Sequence, residues 1–327
     1  MPETEPLIPV FVPALANVLA LAEKNKGSPL SAAEVEAARD KSVCIMMPTL
    51  EAAEMDQSRG FIDVNPENCW ADWHRLRAQM VGGYLPKIIL CIPGDDQLRQ
   101  RCEPILRAER IEHEFRPHDD NLLRGFRSSS ITWPAFTPED FARIEGHTTV
   151  LYALSDHIEP AAARSVAAAF MQLGKRLLEA GGIAIKCDSS GISHPAARWS
   201  GFAETIARNP DHAWPALYRA YVVYPIGSPE SDLYTCGMHL LGAPDLIVSE
   251  QALRDAPSNA AAPAAALFQT FALYLLMECP VGKFASGHTF SVERDAPRYR
   301  VIWEPCSGYP EDDYLFNPFG RWRFTLP

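Results

Sequence analysis

Apolar positions in the first eighty residues recur at helical spacing. Between residues 12 and 25, Leu15, Val18, Leu19 and Leu21 fall on one side of a helix and Gly27 follows as its stop. Ser31 and Glu34 form S-x-x-E, a capping box in which each side chain satisfies an orphan amide of the other's turn. The helix it opens is expected to pass Val35 and Ala38, run on through residues 43–47 and end at Pro48. A third helix is expected over residues 50–58, stopped at Arg59-Gly60. A fourth starts at Asn65-Pro66-Glu67 and carries Trp70, Trp73, Leu76 and Met80 at helical spacing.

The pattern changes at Tyr84. Residues 88–92 are a continuous apolar run between Pro86 and Pro93-Gly94, which reads as a buried strand. An amphipathic helix over 95–109 and an alternating strand over 111–115 complete one strand-helix-strand unit. A second consists of a strand over 148–154, a helix over 160–180 and a strand over 183–187. Between the two units, residues 121–138 read as a long connection. Beyond them a helix is expected over 195–207, a strand over 217–224, a turn at 227–231 and a returning strand over 232–236. A short strand at 246–248, a helix over 260–277 and an antiparallel pair at 290–292 and 299–303 follow. Residues 309–327 read as an aromatic, proline-rich tail laid over the core.

These elements predict an α+β chain, a helical N-terminal section followed by a mixed or antiparallel sheet with helices packed on it. Three sections are expected: 1–83 helical, 84–136 a small strand-helix-strand unit, and 137–327 an α+β domain.

Length and composition fit that picture. The 327 residues exceed one average domain, and 47% hydrophobic with 22% charged residues is the balance of a folded protein. A net charge of -11 disfavours nucleic acid, whose binding rests on neutralised phosphates, and favours a basic protein partner. Residues 1–5 are acidic rather than basic, so no export signal is read there, and the apolar stretch 264–277 is too short to span a bilayer. A cytoplasmic location away from membranes is the expectation. The eight cysteines show no C-x-x-C pair and read as buried, reduced thiols.

No G-x-G-x-x-G, G-x-x-x-x-G-K-[ST], H-E-x-x-H or G-x-S-x-G occurs, which removes the commonest nucleotide, metalloprotease and hydrolase chemistries. The candidate catalytic residues are Asp188, Ser193 and His194, with Ser189 and Ser190 beside them just past a strand, where binding groups collect in such folds. Ser193-His194-Pro195 also fits a capped helix start. His118-Asp119-Asp120 with His113 offers metal-type ligands, but adjacent residues chelate one ion poorly, and neither a metal nor a cofactor is expected. Cys236, between a strand and a helix, is a candidate low-pKa thiol set against simple packing. The candidate partner-binding residues are Tyr309, Glu311, Asp312, Asp313 and Tyr314, a carboxylate cluster flanked by aromatic anchors.

The helix after Leu154, the run Gly181-Gly182-Ile183-Ala184-Ile185, the turn Ser190-Gly191-Ile192-Ser193-His194 and Leu233-Tyr234-Thr235-Cys236-Gly237-Met238 resemble a bacterial family of domains of unknown function (DUF4261-like) over residues 148–303. Lys26-Gly27-Ser28-Pro29-Leu30, Arg39-Asp40-Lys41 and residues 63–73 resemble the front parts of other uncharacterised bacterial proteins. The resemblance implies a bacterial origin and an α+β fold, and it brings no catalytic residues. Domains of this kind occur near toxin and immunity genes. The expectation is therefore a cytoplasmic protein-binding protein, an immunity protein that neutralises a basic toxin by direct contact. The alternatives are a hydrolase or transferase built on residues 188–194, and a scaffold or assembly component.

Overall fold

The structure is a computed structural model that describes residues 6–130, 135–227, 232–249, 251–252, 264–278 and 284–326. Its architecture is α+β. The N-terminal section holds β1 (Leu7–Phe11), α1 (Leu15–Lys26), α2 (Ala32–Lys41), β2 (Cys44–Pro48), α3 (Thr49–Arg59) and α4 (Cys69–Val81). The capping box at Ser31 and Glu34 forms as expected. The helix it opens stops at Lys41, however, and residues 44–48 are a strand paired antiparallel with β1. Val43, Cys44 and Ile45 favour an extended backbone, and the residues 7–11 opposite them supply the pairing that propensity alone does not reveal. The buried faces of α1, α2 and α4 gather Leu15, Leu19, Val35, Trp73 and Leu76 into a core of their own.

Asp63 organises this section from a distance. α1 begins after Ala14, which has no side chain to cap it. The Asp63 carboxylate accepts Leu15 N–H at 2.8 Å and Ala16 N–H at 2.9 Å instead, placing negative charge at the helix N-terminus.

The next section is β3 (Ile89–Gly94), α5 (Leu98–Ala108), β4 (Glu112–Pro117), α6 (Leu122–Ser129), α7 (Pro138–Glu145), β5 (Thr149–Leu154), α8 (Ala163–Glu179), β6 (Ala184–Cys187), β7 (Ile192–Pro195) and α9 (Ala196–Arg208). Its five-stranded sheet has the order β4-β5-β3-β6-β7, with every pair antiparallel. β3-α5-β4 and β5-α8-β6 are therefore interleaved: β5 lies between β3 and β4, and β3 between β5 and β6. This is the split βαβ, ferredoxin-like topology. The strands expected in the 84–136 section thus share one sheet with those that follow. Residues 122–129, read from the sequence as part of a connection, form α6, whose Leu122 and Phe126 are buried against the sheet.

The last section is α10 (Trp214–Tyr221), β8 (Val223–Ile226), β9 (Asp232–Cys236), β10 (Asp245–Ser249), α11 (Ala264–Met277), β11 (Thr289–Phe290), β12 (Tyr299–Glu304) and β13 (Arg321–Thr325). The six-stranded sheet runs β11-β12-β13-β10-β9-β8, with β10 and β13 parallel. Two expectations are corrected here. Residues 217–221 are helical, because burial of Leu217, Tyr218 and Tyr221 on one helix face outweighs their β propensity. The end of the tail is an interior strand, β13, with Trp322 and Phe324 buried at alternate positions. The turn expected at 227–231 and residues 260–263 fall largely outside the described residues. No helix among the described residues is long and apolar enough to cross a membrane.

Trp199 ties the two sheets together. It is fully buried, donates to Met171 C=O at 3.0 Å and packs edge-on against Tyr221 at 5.6 Å. α8 comes this close only because position 174 is glycine: a Cβ there would lie 2.6 Å from Trp199 Nε1 and 2.9 Å from Ile185 Cδ1. Gly174→Ala is expected to lower stability by about 1–3 kcal/mol through overpacking, measured as the free energy of urea unfolding. A variant as stable as the parent would contradict this packing.

Candidate functional site

The candidate catalytic residues lie on the β6–β7 hairpin, and its geometry separates them. Lys186 pairs with Ser193, and Ile185 with His194, across the two strands. Neighbours along a strand face opposite sides of the sheet. Ser193 accordingly turns towards α6, where Ser129 Oγ lies at 2.7 Å and Phe126 C=O at 3.4 Å. His194 turns the other way, between Trp199 and Phe202, with Nε2 at 3.0 Å from Ala220 C=O. Ser193 and His194 therefore do not form a serine-histidine pair with each other. Nor do these residues cap a helix: α9 starts after Pro195, with no side-chain cap.

Asp188 pairs with Lys186. Burial works against the Lys186 ammonium, but the Asp188 charge and hydrogen bond outweigh it, and the group is held above its ordinary range. It is a poor base. The turn itself is stitched to β3, with Asp188 N–H donating to Ile89 C=O at 2.8 Å and Ile89 N–H to Ser189 Oγ at 3.0 Å. These groups are occupied in holding the hairpin.

The aromatic, acidic tail meets the same region. Tyr314 lies within electrostatic reach of Lys186, and its carbonyl flanks the fully buried His239 ring, as does that of Ser189. Neither ring nitrogen of His239 reaches hydrogen-bond geometry. Tyr309 is half-buried and bonded to Tyr234, with its phenol pushed up mainly by burial. Asp313 accepts Leu315 N–H at 2.8 Å. Glu311, Asp312 and Tyr314 remain exposed. Of the five proposed partner-binding residues, two are thus committed to the local fold.

A cavity of ≈ 270 Å³ opens beside the tail, lined by Tyr234, Thr235, Asp245, Tyr309, Asn317 and Arg321 among others. Asp245 is its most perturbed carboxyl, raised to about 6 by burial. Thr235 Oγ1 at 2.8 Å, Asn317 Nδ2 at 2.7 Å and Met238 N–H at 3.3 Å all donate to it. Those donors join β9, β10 and the tail, a structural task that accounts for the carboxyl. Cys236, adjacent in sequence to Gly237, is buried, and burial raises its thiol well above the ordinary range, so it is no low-pKa nucleophile. Cys44 is exposed and Cys306 half-buried, which corrects the expectation of uniformly buried thiols. His118 and His147 stack at 4.3 Å and bond to local backbone, and His113 bonds to Ile111 C=O.

The surface that stands out is at the N-terminal section, where the sequence offered no candidate. Nine of the twelve exposed large apolar side chains among the described residues lie between Leu7 and Ile62, and all but Leu21 are on or beside the β1–β2 ribbon. Met46 is 59% exposed, Val43 69% and Leu50 65%. Scattered apolar exposure is ordinary, but a cluster marks a contact surface. Alongside β1 runs a cleft of ≈ 390 Å³, lined by the apolar Ile8, Val10 and Ile62 and by the acidic Asp56, Glu67 and Asp72 among others. Burial raises the carboxyls of Asp56 and Asp72. Arg59, also in the cleft, is spent on Asp56, Asp63 and Phe11 C=O.

The buried histidines predict the pH response. Burial lowers His194 to about 3, and His239 and His74 to about 4, from 6.5. The unfolded chain takes up protons there first, so stability present above pH 6.5 is lost as pH falls towards 4. Asp245 has the opposite sign: its raised pKa gives stability below pH 3.8 that is lost as pH rises through about 6. The raised carboxyls of Asp56 and Asp72 act in the same sense as Asp245, so the histidine contribution is read as a difference between parent and variant. Between pH 7 and 5 each histidine costs about 2 kcal/mol, and His194→Gln should shrink the loss by about that much in urea titrations at the two pH values. An equal loss in parent and variant would contradict the assignment. No protein-family model matches the chain, and neither a curated protein nor a solved structure does.

Proposed function

We propose that the chain is a protein-binding protein whose partner seats on the N-terminal ribbon and the cleft beside β1. The observation that carries this is the apolar cluster around an acid-lined cleft. Apolar side chains of the ribbon exclude water, and the exposed Glu67 carboxylate in the cleft favours a cationic side chain from the partner. A net charge of -11 steers such a partner inward. The partner chemistry is therefore a basic polypeptide segment with apolar flanks. The resemblance to domains found near toxin genes makes a toxin the first partner to test, which is the immunity reading. The exposed tail residues Glu311, Asp312 and Tyr314 form a second, smaller surface.

The test is co-expression with products of neighbouring genes, read as complex formation and, where the partner is toxic, as growth. Ile8→Asp and Glu67→Lys are each expected to weaken the complex at least about tenfold, equivalent to about 1.4 kcal/mol. Tyr314→Ala should leave it nearly unchanged. Loss with Tyr314→Ala and tolerance of both cleft variants would move the site to the tail. No complex with any neighbouring product would remove the immunity reading.

A further inference from the structure

The ribbon has two edges, and they differ in which backbone groups face outward. Val12 N–H donates to Val43 C=O at 3.0 Å, and residues 12 and 43 continue the β1–β2 register. Directly opposed residues alternate between bonded and non-bonded pairs in an antiparallel ladder. Val10–Ile45 and Ile8–Met47 are therefore the bonded pairs, while Pro9 and Met46, opposite each other, turn their backbone groups outward. On β1 the central outward position is a proline, which has no N–H and closes that edge to another strand. On β2 the outward residues Cys44 and Met46 each have a donor and an acceptor.

Among the described residues nothing pairs with this edge of β2, since the ribbon is a two-stranded sheet. The side chains along its first three positions are open to solvent as well, with Cys44 exposed, Ile45 45% exposed and Met46 59% exposed. Exposed edges are ordinarily protected by a lysine, a proline or a bulge. The strand Cys-Ile-Met-Met-Pro carries no charge, and its proline stands only at the last position.

We propose that the β2 edge pairs with the same edge of a second copy of this chain. The two ribbons then form one four-stranded antiparallel sheet, β1-β2-β2-β1, about a two-fold axis at Met46. Met46 N–H of each copy donates to Met46 C=O of the other, and Cys44 N–H donates to the other copy's Pro48 C=O. The flanking charges select this occupant and this direction. Lys41 closes α2 just before the strand and Glu51 lies in the first turn of α3 just after it, and both are exposed. Antiparallel pairing about Met46 brings the end of α2 in each copy, with Lys41, beside the start of α3 in the other, with Glu51. Parallel pairing would set like charge against like. Repulsion between two chains of charge -11 is screened beyond about 8 Å at physiological salt, whereas the uncharged strands meet in contact. The cleft lies on the β1 side, so each copy of the dimer keeps its own cleft open. This assembly shares the ribbon with the partner-binding reading but not the cleft, so it can fail while binding at the cleft holds.

The test is sedimentation equilibrium of the full chain over about 1–200 µM. A reversible shift from 36.2 kDa towards twice that mass is expected. Met46→Pro removes only an outward N–H, as Pro9 does opposite it, and should abolish the dimer; Met46→Lys does the same if the proline disturbs the ribbon. Lys41→Glu should weaken dimerisation at least tenfold, and adding Glu51→Lys should restore it. In this register the two Cys44 residues lie four strand positions apart, about 13 Å. A thiol crosslinker of that span should join them, whereas direct oxidation should not, since a disulfide needs Cα atoms within about 7 Å. A Cys44→Ser control identifies the thiol. A monomer at all concentrations overturns the proposal. So does a dimer indifferent to both Met46 substitutions and to the Lys41–Glu51 exchange.

Discussion

The fold depends on the seat of Trp199. With no side chain at Gly174, α8 lies close enough for the indole to reach Met171 C=O while its ring packs edge-on against Tyr221. Tyr221 in turn donates to Ala167 C=O at 2.9 Å, which fixes α10 against α8. His194 rests on the same indole. The first sheet, its covering helix and the start of the second sheet are thus registered through one buried ring. Interiors packed to this density tolerate little displacement.

That registration determines what the hairpin at residues 184–195 can do. Its polar groups face a seam where Ser189 holds β3, Asp188 holds Lys186, and the turn packs against Gly237. A Cβ at Gly237 would lie 2.2 Å from Tyr221 C=O, so the backbone there approaches as closely as glycine permits. Ser189 bonds to β3, Ser193 to α6 and His194 to α10. The N-terminal section differs. Its helices bury a separate core and join the rest through Trp70, His74 and Trp303, with Asn68 Nδ2 donating to Phe284 C=O. Its strand β2 is left with apolar side chains in solvent and, among the described residues, one edge unpaired.

Sequence legibility followed locality. The capping box at Ser31 and Glu34, the buried run at β3 and the β8–β9 hairpin carry their signals within a few residues. β2 does not, because its partner β1 lies more than thirty positions upstream and an apolar run before a proline suits a helix end equally well. α10 was hidden by β-prone residues whose helical face becomes evident only once buried. The placing of Ser193 and His194 turned on one distinction, turn or strand, and the strand sends them to opposite faces. The cleft was illegible for a plainer reason. Its walls come from residues 8–11, 49–59 and 62–72, and no local pattern joins those segments.

The central claim is that this protein meets other polypeptides through its N-terminal ribbon. Amide hydrogen exchange of the full chain at low and high concentration tests it most directly. The account predicts that Ile45 and Met47, bonded to β1, are protected at both concentrations, while Cys44 and Met46 become protected only at the high one. Exchange at Cys44 and Met46 that ignores concentration, with new protection appearing instead at residues 188–194 or 309–314, would contradict it.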